Sequence, residues 1–249
     1  VRPSTWSAPA SLTALAGGRS ALHGAVKLRA CLTETLRVRI ISFNANGIRS
    51  AASKGFLDWF RRQDADVLCL QETKAQEAQL SDPAFRPDGH HCFYRDAITK
   101  KGYSGVAIWS RREPDEVRTS LGWAPFDDEG RYIEARFSKL SVVSLYVPSG
   151  SSGEERQKFK FRVMEWLTPI FRAWLASGRD YVLCGDWNIV RARNDIKNWT
   201  SNQKNSGCLP AERAWLNGLI ADACGDGTPP PAQGWIDSFR AVKPDAVEY

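Results

Sequence analysis

The chain has 249 residues, 43% of them hydrophobic and 25% charged, which is ordinary for a globular protein and enough for one large domain or two small ones without disulfide staples. That composition excludes a collagen-like or wholly disordered chain, and no run of ~18 apolar residues is present to cross a membrane as a helix. The net charge of +6 points to a polyanionic partner, but Arg2, Arg19, Lys27, Arg29 and Arg37 face one acid, Glu34, in the first 37 residues, so the remainder is close to neutral.

Residues 1–37 are rich in Ala, Ser, Leu and Gly and carry no strand pattern. Ala8–Gly17 is too broken by Pro, Ser and Thr for a secretory signal. The segment reads as a disordered or non-native extension, with an acid-poor organellar leader as the alternative. The folded body is expected to be a single domain over 38–249. It opens with the β-rich run VRIISFN, which ends at the turn signal Asn46–Gly47. Phe56–Arg62 has helical spacing. Asp66–Gln71, Ser104–Ser110, Arg131–Phe137 and Leu140–Val147 read as strands. Glu154–Leu175 is a long helix with Phe159, Val163, Trp166, Leu167 and Ile170 on one face, and Pro169 is a candidate kink or stop. Tyr181–Cys184 reads as a buried strand, Ala211–Ala221 as an amphipathic helix and Gly225–Gln233 as a loop. Several adjacent strands leave no room for a crossover helix, which favours mixed sheets over a doubly wound one.

None of the six cysteines forms a CxxC pair. Zinc ligation is therefore not indicated, and the thiols read as buried hydrophobes of a reducing cytoplasm. Polar side chains instead gather at the ends of apolar strands. Asn44 follows VRIISF, Glu72 follows VLCLQ, Tyr146 lies near the end of VVSLYV, and Asp186 and Asn188 follow YVLCG. Such ends are where α/β scaffolds build sites. Asn44, Glu72, Asp186 and Asn188 offer oxygen donors, which suit Mg²⁺ or Mn²⁺ rather than zinc. Singly, each has a local alternative: Asn44 a turn residue, Glu72 a helix N-terminal acid, Asp186 an N-cap.

The runs SFNANGIRS, LQETK, GYSGVAI, EGRYI, YVPSG, GDWNI and DIKNWTSNQKNSGCLPAERAWL follow one another between Ser42 and Leu216. Together they resemble the exodeoxyribonuclease III family of abasic-site endonucleases, within the endonuclease/exonuclease/phosphatase superfamily. The likeness covers about Val38 to Tyr249. It implies a four-layer α/β sandwich of two mixed β-sheets flanked by helices. It also implies a metal-dependent DNA-repair phosphodiesterase that cuts 5′ to abasic sites and trims 3′ ends. In that likeness Glu72 and Asn44 hold the metal, with Asp186 and Asn188 beside them. Tyr146 contacts the scissile phosphate, Asp186 orients or deprotonates the attacking water, and Asn188 holds the phosphate. Lys74 supports the metal site and counts among the DNA-binding set with Tyr103 and Arg131, read as backbone contacts. Asn198, Asn202 and Asn205 border the abasic pocket. The implied partner is double-stranded DNA with abasic sites or 3′ ends, bound by a cytoplasmic monomer with no membrane role.

The chain departs from the family pattern in two places. It ends at VEY, where the family continues to a Trp-bearing loop, an Asp-bearing strand and a terminal Ser-Asp-His. A chain truncated at the C-terminus, with its closing strands lacking, is therefore expected. That keeps open a catalytically impaired DNA-binding fragment, with a lipid or small-molecule phosphoesterase as a further rival. Second, Arg191 and Arg193 stand where relatives carry other residues, and read as added phosphate contacts or as solvated charges.

Overall fold

A computed structural model describes residues 38–222, 231 and 233–247. The expectations for residues 1–37, and most of the Gly225–Gln233 loop, lie outside the described residues.

Among the described residues, eight strands form two four-stranded sheets. The first contains β1 (Ile40–Asn44), β2 (Val67–Gln71), β3 (His91–Arg95) and β4 (Val106–Ser110), in the order β1-β2-β4-β3. β1 runs parallel to β2, and the other pairs are antiparallel. The second contains β5 (Glu116–Arg118), β6 (Tyr132–Phe137), β7 (Leu140–Tyr146) and β8 (Asp180–Asp186), in that order. Here β7 and β8 are the parallel pair, with Tyr146 in register with Asp186. Both sheets are mixed, as the strand spacing predicts.

Every residue of β2 and β4 is buried. A strand covered on both faces needs apolar residues at every position, which is why VLCLQ and VAIWS read as continuous runs. One face of each strand meets the other sheet. Val67, Cys69, Val106 and Ile108 pack there against Ile133, Ala135, Phe137 and Val142. The opposite face of the first sheet, with Leu68, Leu70, Ala107 and Trp109, is covered by α1 (Ile48–Ser53) and α2 (Phe56–Arg61). The opposite face of the second is covered by α4 (Glu154–Ala176) and α6 (Pro210–Asn217), while α3 (Ala124–Asp127) adds Phe126. The order helix, sheet, sheet, helix is the four-layer sandwich expected. Two further short helices, α5 (Trp199–Asn202) and α7 (Ser238–Val242), lie after β8.

The long helix α4 runs through Pro169 without stopping. Pro169 is exposed, so the carbonyl four residues earlier, which loses its partner, lies on the face open to water. Trp166 packs against the outer core of the second sheet, as its spacing predicts, with Trp174 and Trp215 beside it, and Trp59 packs against that of the first. β3 and β5 escape sequence reading because HCFYR and EVR are short, outermost and partly exposed, so neither carries an apolar run.

The two sheets are also pinned by polar groups. Gln71, 1% exposed, donates to Ser144 Oγ across the seam at 2.9 Å, and Ser144 Oγ donates to Leu70 O at 2.8 Å. A satisfied buried pair of this kind fixes register between layers. It lies one residue before Glu72 and two before Tyr146.

Candidate active site

The C-terminal ends of β1, β2, β7 and β8 open at one end of the seam. Asn44 closes β1, Glu72 directly follows β2, Tyr146 closes β7 and Asp186 closes β8. Asn44 bridges the sheets, with Nδ2 donating to Glu72 Oε1 at 3.0 Å and to Asp186 Oδ2 at 2.7 Å. Its own Oδ1 accepts from Asn46 N at 2.9 Å, which fixes the amide plane. Lys74 Nζ lies 2.6 Å from Glu72 Oε2 and donates to Asn46 Oδ1 at 2.6 Å. Two carboxylates from different sheets thus share one amide, and Asn44 is neither a simple turn residue nor Asp186 a helix cap.

Burial alone would raise the Glu72 pKa. Hydrogen bonds from Asn44 and Lys74, the Lys74 charge and the Tyr146 hydroxyl outweigh it, and the carboxyl titrates below the usual glutamate range. Burial and the Glu72 charge push the Tyr146 phenol well above its ordinary value. At neutral pH the pair is a carboxylate beside a protonated hydroxyl donor. Asp186 Oδ1 accepts from Asn188 N at 2.9 Å, and Asn188 Nδ2 donates to Val147 O at 2.9 Å.

Backbone strain concentrates here. Asn46, Glu72, Lys74 and Asn188 are non-glycine residues with φ of +43°, +52°, +47° and +49°. The left-handed region costs an L-residue about 1–2 kcal/mol, and such outliers persist where the surroundings over-determine them. At Glu72 and Lys74 the surroundings are Thr73 N and Lys74 N bonding Gly105 O and Ser104 O, while Thr73 Oγ1 fills the space a Cβ on Gly105 would need.

Arg131 departs from its expected role at the DNA backbone. Its side chain is 1% exposed and lies behind Tyr146. The guanidinium is 4.6 Å from the Tyr146 ring centroid and donates to Tyr146 O at 3.0 Å and to the Tyr103 hydroxyl at 2.9 Å. Glu129 receives both Arg131 and Arg156. A buried arginine needs such an acid, and EGRYI supplies it two residues earlier. Tyr103 is half-buried, with Lys100 Nζ 4.8 Å from its ring centroid.

Asn198, Asn202 and Asn205 fold into a turn of their own. Asn202 Nδ2 donates to Lys197 O and Asn198 O, and Asn205 Nδ2 donates to Asn202 Oδ1. They share no hydrogen bond with Glu72 or Asp186. The next residue, Ser206, accepts on Oγ from Gly150 N at 3.0 Å. Arg191 is neither a solvated charge nor a phosphate contact, since its side chain is 8% exposed and paired with Asp222 and Asp237. Trp187 packs with Phe171 and Trp215 in the core, and Trp199 lies under Arg213.

Two charged residues that sequence reading passed over sit beneath Asn188. Lys160 and Glu212 have no side-chain exposure and pair at 2.7 Å. The available signal was spacing: Lys160 falls on the stripe of Val163, Met164, Leu167 and Phe171, where an unpaired lysine would not be tolerated.

Fold and site define a class: a four-layer α/β sandwich with hard oxygen donors where its two sheets meet. The chain belongs to the endonuclease/exonuclease/phosphatase family, whose model matches residues 41–242. It is 37% identical over 212 residues to the zebrafish (Danio rerio) DNA repair nuclease APEX1, covering 84% of this chain and 64% of that protein. It is 34% identical over 209 residues to a Bacillus subtilis exodeoxyribonuclease, covering 84% and 77%. The chain therefore spans just under two thirds of the zebrafish relative's length. Among solved structures, an AP endonuclease from Archaeoglobus fulgidus superposes with a TM-score of 0.68 at 26% identity, covering 86% of this chain and 77% of that one. A 3′-5′ exonuclease from Neisseria meningitidis gives 0.64 at 27% identity, covering 72% and 73%. The family resemblance drawn from the motifs is borne out.

Proposed function

We propose that the chain is a metal-dependent DNA-repair phosphodiesterase that cuts 5′ to abasic sites and also trims or cleans 3′ ends. The observation that carries this reading is the meeting of Glu72 and Asp186 from different sheets on the single amide of Asn44. Two converging carboxylates, only one of them paired with a lysine, call for more positive charge, and amide and carboxylate oxygens are the donors a hard cation takes. Glu72, Asp186 and Asn188 would hold Mg²⁺ or Mn²⁺, and Asn44 would join them through its amide oxygen rather than the Nδ2 that bonds the two carboxylates here. When bound, that cation would supply Lewis-acid stabilisation of the phosphate and lower the pKa of a water.

The remaining work falls to the chain. Asp186, held by Asn44 and by Asn188 N, accepts the proton of the attacking water. Tyr146 keeps its proton at neutral pH and donates to a phosphate oxygen. Asn188 offers its amide as a neutral donor to the developing charge. Arg131 keeps the Tyr146 ring in place from behind. Asn198, Asn202 and Asn205 flank the duplex at the abasic sugar, and Tyr103 and Lys74 contact the DNA. A nucleotide without a base leaves the stack at less cost than an intact one, which is a physical source of selectivity. The partner is duplex DNA with abasic sites or 3′ ends, and the protein acts as a monomer.

The test is cleavage of a duplex carrying one abasic-site analogue, in Mg²⁺, Mn²⁺ or EDTA. Strand scission 5′ to the analogue in either metal, none in EDTA and scission slowed roughly 10³-fold in Glu72→Gln or Asp186→Asn is the expected result. Binding without scission by a folded wild-type chain would overturn the catalytic reading.

A further inference from the structure

Lys160 and Glu212 form an ion pair in the core of the second sheet's helical layer, each with no side-chain exposure. Burying two charges costs more than their attraction returns unless other hydrogen bonds are gained, and apolar replacement of such a pair is often neutral or stabilising. The pair alone is therefore weak evidence of a stabilising role, and its further hydrogen bonds say what it holds. Lys160 Nζ donates to the main-chain oxygen of Asn188 at 2.6 Å. Glu212 Oε2 accepts from Gly207 N at 2.7 Å and from Leu209 N at 3.0 Å, and Oε1 accepts from Gln157 Nε2 at 3.0 Å. Asn188 has φ +49°, and a Cβ on Gly207 would lie 2.9 Å from its oxygen. Val190 N donates to Gly207 O at 2.7 Å. One ammonium and one carboxylate thus tie α4, the turn after β8 and the loop before α6 to a single strained residue.

We propose that Lys160, anchored by Glu212, is a positioning residue that holds the left-handed backbone of Asn188, and through it aims the Asn188 amide and the main-chain N–H that bonds Asp186. The inference rests on the site assignment above. If the backbone relaxes, Asn188 N leaves Asp186 Oδ1 and its side chain leaves Val147 O, so two site residues lose their aim without losing an atom.

The experiment pairs Lys160→Met/Glu212→Gln with Glu212→Gln alone. The double variant removes the donor to Asn188 and both charges but keeps an oxygen for the loop amides. The single variant keeps the lysine on Asn188. With the abasic duplex in Mg²⁺, the double variant should lose roughly 10–100-fold in kcat, with KM within about twofold. The single variant should lose much less. The side-chain amide resonance of Asn188 should move in the double variant only. An unchanged kcat and an unmoved resonance in a folded double variant would overturn the proposal, as would a pure KM effect. If the double variant does not fold, Lys160→Arg decides. Its planar guanidinium keeps the charge but not the single contact to Asn188 O, so a kcat loss without a Tm loss supports the proposal and an unchanged rate overturns it. A wild-type chain that cuts nothing would sink the nuclease reading, and the Asn188 resonance would still decide whether the pair positions that residue.

Discussion

Glu72 and Tyr146 rise from β2 and β7, which are interior strands of their sheets, whereas Asn44 and Asp186 close β1 and β8, the outermost strands on the same side among the described residues. The two halves of the site are fixed by different means. All of β2 and all but one residue of β7 are buried, while no residue of β1 or β8 is fully buried. Packing holds the interior half, with Gln71 and Ser144 pinned beneath it and Arg131 wedged behind Tyr146. Hydrogen bonds hold the outer half, and Asn44 is the link that brings it to the interior one. Dense packing tolerates little displacement, so the interior strands set the position of the site and the outer ones complete its charge.

That contrast can be broken or sharpened by substitution. The largest effect is expected at the carboxylates themselves, one from each half. Glu72→Gln or Asp186→Asn should slow single-turnover scission by roughly 10³-fold, with circular dichroism unchanged. A loss at one carboxylate only would mean that the two halves do not act as one site. Behind the interior half, Arg131→Ala should cost about 3 kcal/mol in urea unfolding because it strips a partner from the half-buried Glu129. A pure DNA contact would leave unfolding unchanged and alter only DNA affinity. In the scaffold, Ile108→Ala on fully buried β4 should cost about 2–5 kcal/mol. Ile41→Ala on half-exposed β1 should cost less than half of that, and equal losses would erase the distinction between interior and outer strands.

The smallest effect is electrostatic. Burial raises the Glu129 pKa, but hydrogen bonds from Arg156 and Arg131 and their charges win and lower it. A carboxyl whose folded pKa is depressed stabilises the fold fully above its unfolded value, about 4.3 for glutamate, and that stability is lost as pH falls through the folded value. Thermal melts from pH 7 to pH 3 should therefore show the wild-type Tm dropping below about pH 4.5. Glu129→Gln should start lower and drop less. Parallel curves would remove Glu129 from the network.

Much of this was legible in the chain. β2 and β4 announce themselves because two covered faces favour nearly unbroken apolar runs, but the same kind of run in Tyr181–Cys184, read as a buried strand, belongs to outermost β8, where no residue is fully buried; the site residues sit where such runs stop. Convergence was not legible. Nothing in the spacing of Asn44, Glu72 and Asp186 says that one amide joins them, because they are separated by up to 142 positions. The burial of Arg131 is not legible because an arginine after a glycine turn carries no local sign of it, and the acid that neutralises it also receives Arg156 from a distant helix. Arg191 was misread for the same reason, since its partners Asp222 and Asp237 lie far along the chain. Lys160 was readable from its place on an apolar stripe. Its partner was not, since Glu212 reads equally well as an ordinary acid in the first turn of α6.

The central claim is that carboxylates from two sheets form one functional unit. A double-mutant cycle on single-turnover cleavage of the abasic duplex tests it most directly, using Glu72→Gln, Asp186→Asn and the pair together. Residues that act as a unit are strongly non-additive, so the double variant should be about as slow as the slower single one. A double variant slower by the product of the two single losses would contradict the account, because the carboxylates would then be working independently.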